Sequence, residues 1–286
     1  MSTLQLIKSH QKDLGGGFTV RRLLPDAQVR AIGPFVFFDH FGPVIRHPSD
    51  NFDVRPHPHI GLATVTYLFE GAMLHHDSLG FEQRIEPGAI NWMTAGRGIV
   101  HSERGPADLH DRPYSIHGLQ LWTALPQAYE ECEPDFVHTP AAAIPVHETT
   151  TFTARVLIGT AFGHTSPVRT VTEMLYVDID ADAGAEITLP AAGERGIYLL
   201  NGAIDIDGET LPELQMAKLA ADAITLRVRD AARLVLIGGA PLDAPRHMWW
   251  NFVSSRPERI EQAKQDWATQ RMGTIAGETE FIPLPE

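Results

Sequence analysis

Four residues of this chain have the types and the spacing of a metal site. His57 and His59 are two residues apart, and so are His101 and Glu103. Side chains alternate between the two faces of an extended strand, so each pair would lie on one face of its strand. Two such strands side by side would direct three imidazoles and one carboxylate at a single point.

The donor atoms of such a site indicate its chemistry. Three neutral imidazoles and one carboxylate, without a thiolate, suit Fe, Ni, Cu or Mn, as in non-haem iron sites that keep positions open for O2 and substrate. Zinc would also bind, as a tetrahedral ion. The residues therefore predict one divalent metal ion and leave its identity open.

The residues around the first pair favour an extended backbone. Pro56 and Pro58 restrict the residues before them to extended conformations, which helps to hold the pair on one face. From His57 to Phe69 the odd-numbered residues share one face if no bulge intervenes. Those that follow the two ligands would then form an apolar wall of the metal cavity. Gly61 could host a bulge that breaks this register, and the aromatic residues of the run would then belong to the core.

The whole chain has the pattern of a β protein in two parts. Short runs rich in β-branched and aromatic residues recur between Gly and Pro turns, which is typical of a sandwich or barrel. Residues 198–204 echo residues 67–73, which indicates two related β domains in tandem. A proline-containing stretch at 126–147 has the character of a linker. We predict an N-terminal domain at 1–133 and a C-terminal domain at 134–286.

Only the first of these domains carries the ligand pairs. Twelve of the fourteen histidines lie at or before His147. The internal echo places Thr188 and Pro190 at the positions that His57 and His59 occupy in the first domain. The C-terminal domain is therefore expected to hold no metal.

The end of the chain predicts a helix. Ser255-Arg256-Pro257-Glu258 has the pattern of a capping box, with proline tolerated in the first turn. Ile260, Ala263 and Trp267 recur at helical spacing. We expect one amphipathic helix at about residues 256–272, with its apolar face packed on a sheet.

Composition excludes several classes of function. A net charge of -13 argues against direct nucleic-acid binding, which depends on clustered Lys and Arg. No apolar run approaches the roughly 20 residues that a membrane span needs. The single cysteine, Cys132, rules out a disulfide within the chain and suits a reducing compartment. With no signal-peptide pattern at the N-terminus, we expect a cytoplasmic protein.

The motifs resemble those of the pirin family, which belongs to the cupin superfamily. The resemblance spans nearly the whole chain, and its most specific part is the run from Trp92 to Glu103. The segments that carry it are His57-Pro58-His59, Thr64-Val65-Thr66-Tyr67-Leu68, Glu70-Gly71, Asp77-Ser78-Leu79-Gly80, Pro87-Gly88, Trp92-Met93-Thr94-Ala95-Gly96-Arg97-Gly98-Ile99-Val100-His101-Ser102-Glu103, Leu121-Trp122, Leu125-Pro126 and Asn251-Phe252-Val253.

The resemblance implies a fold and a site. It implies an all-β bicupin, in which two jelly-roll-like β-barrel domains are followed by a C-terminal helix and only the N-terminal domain binds metal. It implies that His57, His59, His101 and Glu103 are the ligands and that the metal is usually iron. This set agrees with the spacing of the two pairs.

The chain departs from the common family pattern beside the first pair. Pirins often have His-Arg-Gly-Phe-Glu where this chain has His59-Ile60-Gly61-Leu62-Ala63. Cupins generally take a carboxylate ligand from about the position of Ala63, and alanine has no donor atom. Glu103 is then the natural oxygen ligand, and any substrate contact of the missing Arg and Glu is lost.

The resemblance also implies two different functions. Some pirin-like proteins are quercetin 2,3-dioxygenases, and in that case a flavonol or a similar enol meets O2 at the metal. Glu103 would serve as ligand and as the base that takes the enol proton, while aromatic side chains stack on the substrate. Alternatively, the protein is an iron-dependent redox-sensing regulator that binds a protein partner. A metal-dependent isomerase is a third hypothesis.

Overall fold

The structure, a computed structural model, describes residues 4–14, 17–50, 52–222 and 224–285. Over these residues the chain consists mainly of β-strands, with one α-helix near its end. The all-β prediction with a C-terminal helix is therefore confirmed. No helix within these residues is long and apolar enough to span a membrane.

The strands vary in length from the 2 residues of Thr160–Ala161 to the 16 residues of Ile224–Gly239. The first twelve are β1 (Gln5–Lys8), β2 (His10–Asp13), β3 (Thr19–Leu24), β4 (Phe35–Arg46), β5 (Val54–His59), β6 (Leu62–Glu70), β7 (Met73–Asp77), β8 (Glu82–Ile85), β9 (Ile90–Thr94), β10 (Ile99–Arg104), β11 (Tyr114–Ala124) and β12 (Asp135–Thr139). The others are β13 (Val146–Glu148), β14 (Phe152–Ile158), β15 (Thr160–Ala161), β16 (His164–Thr165), β17 (Met174–Ala181), β18 (Glu186–Leu189), β19 (Glu194–Ile206), β20 (Glu209–Leu211), β21 (Gln215–Leu219), β22 (Ile224–Gly239), β23 (His247–Trp249) and β24 (Phe252–Ser254). The α-helix is α1 (Pro257–Ala268), and single 3-10 turns occur at Ala107–Leu109, Gln127–Tyr129 and Ala141–Ala143.

The described residues form two compact units, and each unit is assembled from three chain segments. One comprises Met1–His10, Arg22–Phe38 and Ala142–Pro241, and the other comprises Gln11–Arg21, Asp39–Ala141 and Leu242–Glu286. Each unit thus combines most of one predicted domain with segments from outside its bounds. The division at 133/134 remains a prediction.

The unit that contains Ala142–Pro241 is built on one sheet. Its strands follow the order β1-β21-β19-β22-β17-β14-β13, with β18 paired to β22 and β20 paired to β19. Leu175, Val177 and Ile179 lie at alternate positions of β17 and belong to one large buried cluster. The members of this apolar core come from strands along most of the sheet.

The unit that contains Asp39–Ala141 is built on two sheets. One has the order β5-β10-β7-β8, and the other has the order β12-β9-β6-β11-β4-β3-β2. A buried cluster joins them, because Ile85 of the first sheet packs with Leu68, Ile116 and Phe41 of the second. Neither path closes on its first strand, so this jelly-roll-like unit consists of two open sheets around a core and is not a closed barrel.

The chain end packs on the outer side of the smaller sheet. Ile260, Ala263 and Trp267 of α1 are buried, as their spacing predicts, in a cluster with Ile60 and Val100. The predicted capping box is wrong: Arg256 is the N-cap, and no side chain caps the helix. The hydroxyl of Ser255 instead donates a hydrogen bond to a buried carboxylate, that of Glu130. The helix ends at Ala268, four residues before the predicted limit.

Candidate metal centre

Two antiparallel strands bring the predicted ligand pairs together. Strands β5 and β10 pair so that His101 lies opposite His57 and Ile99 lies opposite His59. The His57 and His101 ring centroids are 4.3 Å apart, and the His59 ring is 5.0 Å from each of the others. Three imidazoles thus lie together, as the i, i+2 spacing predicts.

The three rings form a group that could hold a metal ion. One ring nitrogen from each of His57, His59 and His101 lies within 4.8 Å of the others, and all three residues are buried. Burial lowers the pKa of His57 to about 4 and lowers the pKa values of the other two well below their usual range. Neutral imidazole is the form that binds metal, so desolvation keeps the cluster ready for an ion.

Backbone carbonyls set the orientation of two of the rings. The Nδ1 atom of His57 lies 2.9 Å from the carbonyl oxygen of Arg55, and the Nδ1 atom of His59 lies 3.2 Å from that of Asn251. A carbonyl can only accept, so each Nδ1 carries the proton and donates it. Each Nε2 is then left with its lone pair, which is the arrangement that metal-binding histidines need.

The His101 ring nitrogens lack hydrogen-bond partners, which supports a bound ion. Both of its ring nitrogens are buried and have no hydrogen-bond partner among the described residues. Buried polar atoms in native proteins almost always have a partner, and an orphan in a polar cluster indicates an unseen ion or water. The donor set therefore fits a bound metal.

Glu103 lies outside this three-histidine group. The β5–β10 register shifts between His101 and Glu103, so that Glu103 lies opposite Val54. The half-buried carboxyl group has no hydrogen bond or ion pair with any described residue, and burial raises its pKa to about 7. The structure thus brings together three of the four predicted ligands and leaves the fourth two residues further along the same strand.

The strand register breaks at Gly61, so the predicted apolar cavity wall does not form. Gly61 has a φ of +68° and separates β5 in one sheet from β6 in the other. Trp122 contacts the His59 ring at 5.0 Å and lies opposite Thr64, which places the even-numbered residues of β6 on the side of the histidines. Tyr67 therefore belongs to the opposite face and is a core residue.

A hairpin from the end of the chain supports the first ligand pair. Strands β23 and β24 flank Asn251, whose carbonyl accepts the His59 hydrogen bond. Phe252 forms a bridge to Ile60, next to His59. At Gly61 a Cβ atom would lie 1.9 Å from the Val253 carbonyl oxygen, so glycine permits this close approach. The sequence places Asn251 in a family motif but does not assign it to the site, because its contribution is a main-chain atom.

A buried carboxylate anchors this hairpin. Glu130 and the Arg246 guanidinium form an ion pair at 2.8 Å, with 2% and 3% of their side chains exposed. The Glu130 carboxylate also accepts hydrogen bonds from the Ser254 hydroxyl at 2.9 Å and from the Ser255 amide at 2.8 Å. Both ends of the β23–β24 hairpin are therefore tied to one side chain.

A fourth histidine borders the cluster. The His75 ring lies 5.3 Å from that of His101, stacks on Phe136 at 4.3 Å and makes a 3.0 Å contact with the Asp77 carboxylate. Its neighbour His76 points away and lies 3.4 Å from the side-chain carboxylate of Glu278. The adjacent pair thus divides between the two faces of β7, as strand geometry requires.

These features define a class of protein. Two jelly-roll-like β units, with one three-histidine cluster formed by paired strands, make the chain a bicupin with a candidate metal centre. A family model described as Pirin matches residues 17–123, and one described as Pirin C-terminal cupin domain matches residues 176–273.

The chain belongs to the pirin family, as its motifs implied. A pirin-like protein of Caulobacter vibrioides is 44% identical over 284 residues, which cover 97% of this chain and 98% of that protein. Pirin of Homo sapiens is 33% identical over 281 residues and 95% of this chain, with 93% of its own length covered. A crystal structure of quercetin 2,3-dioxygenase from Acinetobacter baumannii matches with a TM-score of 0.92 at 35% identity, over 99% of this chain and 95% of that chain.

Proposed function

We propose that this chain is a metal-dependent dioxygenase that cleaves quercetin or a similar flavonol with O2. The observation that carries the proposal is the convergence of three buried imidazoles, two of which are oriented by backbone carbonyls. The likeness to the quercetin 2,3-dioxygenase of Acinetobacter baumannii, close over almost the full length of both chains, supports this chemistry over other cupin activities.

In this proposal the metal ligands are His57, His59, His101 and Glu103. Each histidine offers a lone pair of neutral imidazole, and Glu103 offers a carboxylate that no other described residue engages. The ion is iron, with Ni, Mn, Cu and Zn as the alternatives that the same donors accept. When bound, it supplies Lewis acidity and open coordination positions for O2 chemistry.

The protein side chains have three tasks in the reaction. Glu103 takes the proton of the enol hydroxyl at a carboxylate oxygen, since its carboxyl group is half-buried and free of competing hydrogen bonds. Trp122 and Phe136 contact His59 and His75 from the opposite sheet and would border the substrate rings. Their apolar surfaces keep water from the reacting atoms.

Anaerobic mixing of iron-loaded protein with quercetin, followed by O2, tests the proposal. We expect loss of the flavonol absorbance and release of carbon monoxide, with one O2 consumed per flavonol. Glu103→Gln should retain the fold and lose turnover, because an amide cannot take the enol proton. Unchanged absorbance and no carbon monoxide after addition of O2 would exclude the dioxygenase. Full turnover in Glu103→Gln would remove that residue from the mechanism.

A further inference from the structure

A row of polar residues crosses the inner face of the sheet β12-β9-β6-β11-β4-β3-β2. Gln120 of β11 lies opposite Thr66 of β6, Thr66 lies opposite Asn91 of β9, and Asn91 lies opposite His138 of β12. These four residues, here called the polar belt, thus occupy one continuous line across four neighbouring strands.

The polar belt faces the three-histidine cluster. Two residues along each strand, the adjacent row contains Trp122 and Phe136, which contact His59 and His75 respectively. Because residues i and i+2 of a strand share a face, Gln120 and His138 point to the same side as these aromatic residues. The two rows are about 6.6 Å apart, which is two residue steps of a strand.

On its other side the polar belt borders the apolar core. Leu68 follows Thr66 at i+2 and packs with Ile85, Ile116 and Phe41. The inner face of the unit therefore changes in order from an aromatic row beside the histidines, to the polar belt, to a purely apolar cluster. Polar residues between two apolar layers lose part of their hydration, which costs free energy unless the residues are hydrogen-bonded.

Hydrogen bonds use only part of the capacity of the polar belt. The Thr66 hydroxyl donates to the Gln120 side-chain oxygen at 2.8 Å, and the His138 Nδ1 donates to the Asn91 side-chain oxygen at 2.7 Å. The two amide NH2 groups, on Gln120 and Asn91, have no partner among the described residues. Since an amide nitrogen carries two donors, the row presents several free donors on one face.

The polar belt is not fully buried, since Gln120 and His138 are each half-buried. Strand β11 lies between β6 and β4, so its main chain is covered on both edges. Gln120 is nevertheless only half-buried. Its exposure arises on the inner face, because its side chain points there. This remaining exposure, on the face that also carries Trp122, is what would let a small molecule beside the histidines reach the free donors of the belt.

We propose that the polar belt recognises the hydroxyl and carbonyl groups of a planar aromatic substrate whose other end reaches the three histidines. The proposal rests on the proposed function and specifies its substrate class. The rings would lie along Trp122 and Phe136, and the spacing of about 6.6 Å between rows matches one aromatic ring with its substituent. The belt contains no Lys, Arg, Asp or Glu, so its ligand groups are neutral rather than carboxylate or phosphate.

The test compares two flavonols by anaerobic binding to iron-loaded protein, which requires no turnover. Quercetin carries hydroxyl groups on its outer rings, and 3-hydroxyflavone keeps the same metal-binding oxygens without them. We expect the wild-type protein to bind quercetin roughly tenfold or more tightly, since each lost neutral hydrogen bond weakens binding by up to about tenfold. Gln120→Met should remove most of this preference and leave 3-hydroxyflavone affinity and iron content unchanged.

A second variant and a matched control complete the design. His138→Phe changes the far end of the belt, on β12 at the edge of the sheet, and should also reduce the preference for quercetin. This variant replaces Gln120→Met if Gln120→Met does not fold. Thr225→Val removes a hydroxyl from the exposed Thr188–Thr225 pair of the other unit and should alter neither affinity.

The outcomes separate this proposal from the proposed function. Equal affinities for the two flavonols, or an unchanged preference in both belt variants, overturn the role of the belt even if quercetin is cleaved. A preference that the variants abolish supports the belt even if quercetin is bound and never oxidised, in which case the dioxygenase fails. Binding of neither compound overturns both.

Discussion

The Nδ1 atom of His59 lies 3.2 Å from the carbonyl oxygen of Asn251, a residue 192 positions further along the chain. This contact joins a predicted metal ligand to a hairpin at the end of the chain. It sets the tautomer of the ring and so leaves Nε2 free to bind an ion. The residues that hold the hairpin therefore influence the metal centre without touching it.

Removal of the buried Glu130 carboxylate should weaken metal binding and stability together. Glu130→Ala removes the buried partner of Arg246 and leaves the guanidinium its ion pair with the half-exposed Asp243. Loss of one partner of a buried ion pair costs about 3–5 kcal/mol in other proteins, and the remaining pair should keep the cost at or below this range. It also frees the hairpin that presents Asn251, so iron affinity should fall roughly 10- to 100-fold, as for other residues that orient ligands. Urea unfolding and anaerobic iron titration measure the two effects.

The adjacent carboxylate provides a matched control. Glu131 pairs with Arg256 and Arg259 at the protein surface, with 43% of its side chain exposed. Glu131→Ala should change stability by no more than about 1 kcal/mol and leave iron affinity as it is. Equal losses of iron affinity in the two variants would show that the hairpin does not orient His59.

Gly61 should not tolerate a side chain. A Cβ atom there would lie 1.9 Å from the Val253 carbonyl, and the φ of +68° adds backbone strain. Gly61→Ala must therefore push the hairpin away from β5, and we expect lower stability together with lower iron content. Thermal unfolding and elemental analysis of the purified variant test this expectation.

A substitution at Gly80 separates the cost of backbone strain from the cost of the steric clash at Gly61. It has a φ of +91° and no atom within 4 Å of an added Cβ. Gly80→Ala should lose only roughly 1–2 kcal/mol from the left-handed backbone and keep its iron. If Gly61→Ala is no less stable than Gly80→Ala, the close contact with Val253 is not a constraint.

A close histidine pair, in which the His40 ring is buried, should make folding stability depend on pH. The Nε2 atoms of His40 and His117 are 2.7 Å apart. Burial, assisted by the charges of His117 and Arg21, lowers the pKa of His40 from 6.5 to about 3. Between these two values the unfolded chain binds a proton that the folded chain does not. The contribution of neutral His40 to the free energy of unfolding is thus complete above about pH 6.5 and declines as the pH falls toward about 3.

Urea unfolding of the metal-free protein at several pH values measures this effect. We expect the free energy of unfolding of the wild type to fall more steeply below about pH 6.5 than that of His40→Gln, which has no titrating ring. Metal-free protein is needed because protons also compete for the metal-site histidines. Parallel pH profiles for the two proteins would contradict the assignment.

The sequence predicts well those features that depend on local periodicity. Alternation along a strand was enough to place His57, His59 and His101 in one cluster, and helical spacing placed Ile260, Ala263 and Trp267 on the buried face of α1. The family resemblance over nearly the full chain supplied the bicupin fold, which periodicity alone could not distinguish from a sandwich.

Features that depend on distant main-chain atoms could not be predicted. The carbonyl of Asn251 has no residue-type signature, and its position depends on the Glu130–Arg246 ion pair across 116 residues of chain. The capping box failed because Arg256, whose side chain does not cap, is the N-cap, while the Ser255 hydroxyl donates to the Glu130 carboxylate. The direction of Tyr67 depended on whether Gly61 bends the strand, and the sequence left both possibilities open.

Iron content after anaerobic reconstitution tests the central claim most directly. We predict one iron per chain for the wild type and little or none for His101→Ala. In the wild type the ring nitrogens of His101 have no partner among the described residues, so the ion is the partner that the substitution removes. His47→Ala, at an exposed histidine of the same unit, should keep one iron per chain. A full equivalent of iron in His101→Ala, or none in the wild type, would contradict a metal centre at these three histidines.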